Sequence, residues 1–334
     1  MKYVKIKDLE PNMILAMTLY DNNEKLLLRA NKKLTNFHIS KIKNLNYDGL
    51  YVYELEDDKI EFNSLIDEKT RLKTLKSLKH INIDKCLYLA NEIVDEIKSN
   101  KSHIMELLNL SSYDNYTYMH SINVDILSVL LGIGLGFNDK DLRLLSQAAL
   151  LHDIGKTCIS KDILNKPAKL TDEEYDEIKK HTQYGYNLVK ENLDISAIVK
   201  NAIYSHHENE DGTGYPRQLK ADKIHKFAKI IHIADVYDAL TYKRVYKEAI
   251  NPGDAMEYLM ANSNTLFNKE YVEVFMNYVA LYPVGCDVEL SDGSIGVVIE
   301  NNDILSRPIV RLKNGKIVDL SKVLNLTIVN LLTK

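Results

Sequence analysis

Residues from about 111 to 280 carry helical periodicity almost without interruption, and this feature constrains the fold most. Segments such as DLRLLSQAALLHDIGK, TDEEYDEIKKHTQYGYNLVK and HKFAKIIHIADVYDALT each combine an apolar repeat with a recognisable helix start. In the second, TDEE at 171–174 is a capping box with acidic residues in the first turn. The pattern predicts a mainly α-helical core.

Shorter patterns of another kind flank this core. MILAMTLY (13–20) and LLL (26–28) predict a hairpin, Thr35 can cap a short helix, and GLYVY (49–53) predicts a strand. Near the other end, apolar and polar residues alternate around Asp292-Gly293 and Asn314-Gly315, two strong hairpin turns. The expected parts are a small α+β module (1–60), a helical connector (61–110), a helical domain (111–282) and a small β-domain, barrel or sheet (283–334).

Composition excludes several classes of function. A net charge of -4 offers no broad basic field, so binding of polymeric DNA or RNA is not expected. Three widely spaced cysteines favour a reducing compartment over a disulfide framework. The longest apolar run, at 126–137, is too short to span a bilayer, and the first residues lack the pattern of a signal peptide. We therefore expect a cytoplasmic protein without a membrane segment.

Charged residues interrupt helices that are otherwise suited only to a core. His152 and Asp153 lie within AALLHDIG, and Asp235 lies within KIIHIADVYDAL. A buried carboxylate is costly unless it is neutral, paired or bound to a cation. Any one of these groups alone would be read as a hydrogen-bonded core residue. Further histidines fall on other inward-facing helices or at a helix end: His120, His181, His206 and His207. Histidine with carboxylate and without thiolate suits manganese, iron, zinc or nickel.

A series of motifs in this region resembles the HD-GYP family, a branch of the HD phosphohydrolases. In order they are DNYTYMHS, LLHDIGK, ILNKPAKLT, the KKH at 179–181, HHENEDGTGYP at 206–216, and IADVYDALT. The resemblance implies an HD-type helical bundle, and the terminal segments are similar to β-rich modules on some bacterial members. It implies two divalent ions bridged by Asp153, with iron or manganese preferred to nickel or zinc. Their ligands or immediate neighbours would be His120, His152, Asp153, His181, His206, His207 and Asp235.

The family hydrolyses cyclic dinucleotides, chiefly cyclic di-GMP, which predicts a phosphodiesterase that forms the linear dinucleotide pGpG and then, in some cases, GMP. Two cations would lower the pKa of a shared water and neutralise charge on phosphorus oxygens as the resulting hydroxide attacks. Lys156 is expected to stabilise the transition state, and Arg244 and Lys247 match positions that grip ligand phosphates. Tyr215 would contact the ligand or pack beside it. Asp238 would orient a metal ligand or Arg244.

Four positions depart from the family pattern, and alternatives remain open. Tyr116 stands where members with a third metal carry glutamate, which favours two ions; the others are Thr182, Gln218 and Val245. The substrate alternatives are cyclic GMP-AMP or another phosphate ester. A metal-bearing receptor that binds a cyclic dinucleotide without turnover is a different class, and a purely structural helical protein would leave the buried cluster unexplained. Homodimerisation or a protein partner would involve the terminal modules.

Overall fold

The structure, a computed structural model, describes residues 2–21, 25–44, 47, 49–53, 65–100, 116–241 and 250–332. The chain divides into two compact units. One is formed by Thr74–His103 and Thr117–Val279, and the other by Met1–Lys73, Ile104–Tyr116 and Ala280–Lys334. The four-part division expected from the sequence stays a prediction. Within the described residues, no helix has the length and apolar character needed to cross a membrane.

The first unit is helical, as the periodicity predicts. It contains α3 (Ile83–Ser99), α4 (Tyr116–Gly134), α5 (Asp139–Leu151), α6 (Lys161–Leu164), α7 (Asp172–Lys179), α8 (His181–Val189), α9 (Ala197–Ser205), α10 (Lys226–Thr241), α11 (Pro252–Ala261) and α12 (Lys269–Tyr278). Helix α2 (Glu68–Lys79) precedes them along the chain.

Local sequence explains where several of these helices begin. Thr171 accepts a hydrogen bond from the backbone N–H of Glu174, and the Glu174 carboxylate accepts one from the N–H of Thr171. This reciprocal pair satisfies two N–H groups that a helix start leaves without partners. The predicted capping box is therefore confirmed. Asn138 and Ser196 cap α5 and α9 in the simpler manner, through one side-chain oxygen.

The second unit holds short strands from both ends of the chain. Its N-terminal part contains β1 (Lys2–Lys5), β2 (Ile14–Leu15), β3 (Leu19–Tyr20), β4 (Leu26–Leu28), α1 (Asn36–Ile42) and β5 (Gly49–Tyr53). An antiparallel sheet has the order β1-β5-β2, and β3 pairs with β4. Thr35 caps α1 as predicted. The predicted hairpin is confirmed, but only the end of the segment 13–20 forms it: β3 pairs with β4, whereas β2 joins the sheet.

The C-terminal part is a five-stranded antiparallel sheet. Its strands are β6 (Asp287–Leu290), β7 (Ile295–Glu300), β8 (Ile309–Leu312), β9 (Ile317–Asp319) and β10 (Ile328–Leu331), in the order β10-β6-β7-β8-β9. The predicted turns at Asp292-Gly293 and Asn314-Gly315 connect β6 to β7 and β8 to β9. A mainly α chain with small β-rich modules at both ends is therefore confirmed.

Candidate metal centre

Residues from five parts of the helical unit meet at one buried place. His120 lies on α4 and Asp235 on α10, whereas His152 and Asp153 directly follow α5. His181 is the first residue of α8, and His206 and His207 directly follow α9, as the sequence predicts. The closest imidazole centroids are 4.2–5.4 Å apart. All seven residues proposed as ligands or neighbours are thus brought together.

A close backbone approach brings the His-Asp turn against α8. Residues Ile154–Cys158 form a 3-10 helix directly after Asp153. A side chain at Gly155 would collide with the backbone carbonyl of His181 and the backbone nitrogen of Gly185. Only glycine leaves room for this contact. The glycine of the HDIGK motif therefore helps to set the position of Asp153 relative to His181.

The cluster contains two groups, each with three donor atoms within 4.8 Å of one another. One group is His120, His152 and Asp153, and the other is His181, His206 and His207. Asp153 reaches both: its Oδ2 lies 3.3 Å from His152 Nε2, and its Oδ1 lies 3.4 Å from His181 Nε2. One carboxylate with an oxygen directed to each group has the arrangement that a bridging ligand needs.

Backbone carbonyls orient three of the imidazoles. The Nδ1 atoms of His152, His181 and His206 lie 2.7, 2.7 and 2.8 Å from the carbonyl oxygen three residues earlier. A carbonyl only accepts, so each Nδ1–H must donate, and each Nε2 keeps a lone pair directed inward. This is the tautomer in which a histidine binds metal through Nε2.

The inward nitrogen atoms require a positive partner. His181 Nε2 lies 3.1 Å from His206 Nε2, and two lone pairs at that distance repel unless a proton or cation lies between them. His152 Nε2 and Asp153 Oδ1 are buried and make no hydrogen bond. Buried polar atoms seldom lack a partner unless they bind an ion or water. The donor set therefore fits divalent metal, and histidine with carboxylate suits iron, manganese, nickel or zinc.

The carboxylates of the cluster are held as anions. Burial would raise the pKa of Asp153, but the ammonium group of Lys156, with Nζ at 2.5 Å, holds it well below its usual range. Burial would also raise the pKa of Asp235, but a hydrogen bond from His120 holds it well below its usual range. Both groups therefore have the charge state in which carboxylates bind metal.

Burial has the opposite effect on the pKa values of the histidines, because it disfavours their charged, protonated form. It lowers the pKa of His181 to about 4, and it lowers the pKa values of His206 and His207 well below their usual range. These three rings are neutral at neutral pH. His120 differs: burial would lower its pKa, but hydrogen bonds with Asp235 and Asp238 raise it to about 9.

Asp238 and a residue missed in the sequence support His120. Asp238 Oδ2 lies 2.7 Å from His120 Nδ1, and its role in orienting a metal-site residue stays a prediction. Asn123 donates from Nδ2 to Asp238 Oδ1 at 2.9 Å. Spacing offered a signal, because Asn123 follows His120 by three residues and shares its helix face. Nothing in the sequence indicated that its partner lies 115 positions away.

The GTGYP segment folds back over the two adjacent histidines. Two positions of this segment require glycine: Gly212 has φ +83°, and a side chain at Gly214 would collide with backbone atoms of His207 and Asn209. Tyr215 stacks on the His207 ring, with centroids 4.7 Å apart. The turn thus forms one wall of the cluster, and Tyr215 is the side chain on that wall.

Glu208, whose role sequence reasoning also missed, fixes the chain beyond this turn. Its carboxylate accepts hydrogen bonds from the backbone N–H groups of Arg217 at 2.7 Å and Leu219 at 2.8 Å. Its exposed fraction is only 2%. The Arg217 guanidinium lies over the Tyr204 ring and donates to Ser205. The sequence contained a signal for the importance of Glu208, since this residue directly follows His207.

Not every predicted site residue lies in the described part of the chain. Lys156 does, with its Nζ on Asp153 and 23% of its side chain exposed. Arg244, Lys247 and the departure at Val245 lie outside the described residues, as does the side chain of Tyr116. Their expected roles remain predictions.

Comparison with known proteins identifies the fold and the family. The family model described as HD domain matches residues 95–270. In three dimensions the chain is similar to the HDG"Y"P protein Bd1817 of Bdellovibrio bacteriovorus, with a TM-score of 0.54, 21% identity, and coverage of 82% of this chain and 97% of that one. This likeness supports the HD-type helical bundle expected from the motifs.

Curated relatives are similar to this chain over part of their length. A cyclic di-GMP phosphodiesterase of Thermotoga maritima is 32% identical over 81% of this chain and 73% of its own length. One of Pseudomonas aeruginosa is 39% identical over 64% of this chain and 52% of its own length. A 3'3'-cGAMP-specific phosphodiesterase of Vibrio cholerae is 29% identical over 70% of this chain and 46% of its own length. The chain spans about half the length of the first relatives it matches. From its motifs, fold and relatives, the chain belongs to the HD domain family, in its HD-GYP branch.

Proposed function

We propose that this protein is a metal-dependent phosphodiesterase that opens cyclic di-GMP to the linear dinucleotide. The observation that carries the proposal is Asp153, whose two carboxylate oxygens face two separate histidine groups. The named activities of similar proteins support the same chemistry.

The proposed cofactor is a pair of divalent ions, iron or manganese before nickel or zinc. His120 and His152 would hold one ion, His181, His206 and His207 the other, with Asp153 between them and Asp235 as a further carboxylate. Bound ions supply an activated water and neutralise charge on the phosphorus oxygens. The neutral imidazole of His181 and the anionic carboxylate of Asp153 are the protonation states that such binding requires, and His120 would release its Nε2 proton when the ion binds.

The chain's own residues would bind and orient the phosphodiester. Lys156 Nζ lies at Asp153 on a partly exposed side chain, so it can reach a non-bridging phosphate oxygen without leaving the site. Tyr215 forms a wall beside His207. Arg244 and Lys247 are proposed to grip the ligand phosphates. Water would add across the bond between phosphorus and the ribose 3'-oxygen, leaving a 5'-phosphate and a 3'-hydroxyl.

A second substrate is favoured by a specific finding. One relative is named as specific for 3'3'-cGAMP. We propose cyclic di-GMP as the first substrate and the mixed cyclic dinucleotide as the alternative.

We further propose a cytoplasmic location, and homodimers or a protein partner through the terminal modules.

The test is to purify the protein without oxygen, quantify its metals, and supply cyclic di-GMP and 3'3'-cGAMP separately. Chromatography then follows loss of each substrate and appearance of the linear product. The proposal predicts conversion of cyclic di-GMP that stops when a chelator removes the metal and returns when manganese or iron is added. Metal-loaded protein that converts neither dinucleotide would contradict it.

A further inference from the structure

Helices α4 and α10 each present two buried polar residues one turn apart. On α4 these are His120 and Asn123, and on α10 they are Asp235 and Asp238. Spacing of three residues places each pair on one helix face. Their exposed fractions lie between 1% and 7%. A polar amide in so buried a place needs a partner, which directs attention to Asn123.

We propose that Asn123 is a positioning residue for the metal centre: it holds the Asp238 carboxylate, which in turn orients His120. The inference rests on the metal centre of the proposed function. Asp238 Oδ1 accepts from Asn123 Nδ2 at 2.9 Å, while Asp238 Oδ2 lies 2.7 Å from His120 Nδ1. The opposite nitrogen, His120 Nε2, faces Asp235 and Asp153 at 3.0 and 3.6 Å.

The chemistry of the amide suits this task. A carboxylate bonded only to His120 could rotate about its terminal torsion, and the imidazole would follow. A second bond to the other oxygen fixes both. Because the Asn123 amide is neutral, it fixes Asp238 without cancelling its negative charge. That charge remains available to make His120 a stronger ligand through Nε2. A lysine or arginine in the same place would compete with the imidazole for the carboxylate.

Metal binding tests this role independently of catalysis. Asn123→Leu removes the donor and keeps the branched shape of the side chain, while Asn123→Asp conserves size and sets a second carboxylate against Asp238. Both should weaken binding of one ion about 10–100-fold, the range typical for partners of metal ligands. The ion of the His181, His206 and His207 group should be retained. Chelator competition with manganese measures the affinities, and elemental analysis counts ions per chain.

Two comparisons separate positioning from general damage to the fold. Ser128→Ala on α4 alters another fully buried polar side chain and should bind ions like the wild type. If Asn123 acts through Asp238, Asn123→Leu should cause little further loss in an Asp238→Leu background. A purely structural effect would instead add to the loss caused by Asp238→Leu.

Several outcomes would overturn the inference. Unchanged affinity for both ions in folded Asn123→Leu or Asn123→Asp would do so, as would fully additive losses with Asp238→Leu. Wild-type protein that takes up no ion would contradict both this inference and the proposed function. Chelator competition and elemental analysis do not depend on hydrolysis. A protein that binds ions without cleaving the dinucleotide would therefore contradict the proposed function alone.

Discussion

Replacement of Glu208 should loosen the wall of the site. Its two carboxylate oxygens each accept one backbone N–H, from Arg217 and Leu219, in a place where only 2% of the residue is exposed. Glu208→Gln keeps one acceptor oxygen but turns an NH2 group towards the other N–H. We expect a loss of about 1.5–3 kcal/mol, the contribution of one hydrogen bond to a charged group.

Glu208→Ala leaves both N–H groups without this acceptor. At about 1–3 kcal/mol for each buried group left without a partner, the expected loss is roughly 2–6 kcal/mol. That is a large part of the roughly 5–15 kcal/mol that stabilises a typical domain. The Gln variant should therefore remain folded, whereas the Ala variant should be much less stable.

Urea denaturation followed by circular dichroism measures these losses, and turnover of cyclic di-GMP measures the effect on the site. A displaced turn moves Tyr215 away from His207, so KM should rise in Glu208→Gln. Glu257→Gln, exposed on α11, is the matched control and should change stability by no more than about 0.5 kcal/mol. Stability of Glu208→Gln equal to that of the control would refute the reasoning.

Four further changes test other parts of the account. Lys156→Ala should lower kcat by roughly a hundredfold or more, with little change in substrate affinity or metal content. Arg244→Ala should mainly weaken substrate binding, by about 1.5–3 kcal/mol. Turnover measurements together with calorimetric binding distinguish the two effects, and an unchanged kcat in Lys156→Ala would contradict the proposed role of Lys156. Tyr116→Glu should admit a third ion, and three tightly bound ions in the wild type would contradict our interpretation of Tyr116. Asp125 is fully buried on α4, and burial raises its pKa well above its usual value against the lowering effect of the Ser146 hydroxyl. Because the pKa of Asp125 is higher in the folded than in the unfolded protein, its contribution to stability is present below about pH 4 and is lost as the pH rises. The stability of Asp125→Asn relative to wild type should therefore increase by up to about 1.4 kcal/mol per pH unit above that point. Urea titrations at several pH values would show no such trend if the reasoning is wrong.

Much of the helical unit could be predicted because its signals are local. The Thr171 capping box depends on residues three apart, and the turns at Asp292-Gly293 and Asn314-Gly315 depend on adjacent ones. The buried cluster was also predictable, since His152 and Asp153 interrupt an apolar helix where isolated charge is costly. Such features need no knowledge of distant partners.

The remaining features depend on contacts that sequence spacing does not encode. Strand β2 ends at Leu15 because its partner is β5, whereas β3 starts at Leu19 because its partner is β4; an apolar run alone does not reveal this division. Asn123 likewise looks like any helical asparagine until α10 places Asp238 opposite it. Glu208 is recognisable in a motif, but its bonds to two backbone groups follow from the path of the turn.

The central claim is that Asp153 serves two ions that together open a cyclic dinucleotide. Its most direct test compares oxygen-free preparations of the wild type and Asp153→Ala for metal per chain and conversion of cyclic di-GMP. The account predicts about two ions and a linear product bearing a 5'-phosphate for the wild type. Asp153→Ala should lose both metal and activity while keeping its helical circular dichroism signal. Near-normal turnover by Asp153→Ala would contradict the dinuclear centre, and a metal-loaded wild type that binds cyclic di-GMP tightly without cleaving it would show a receptor instead.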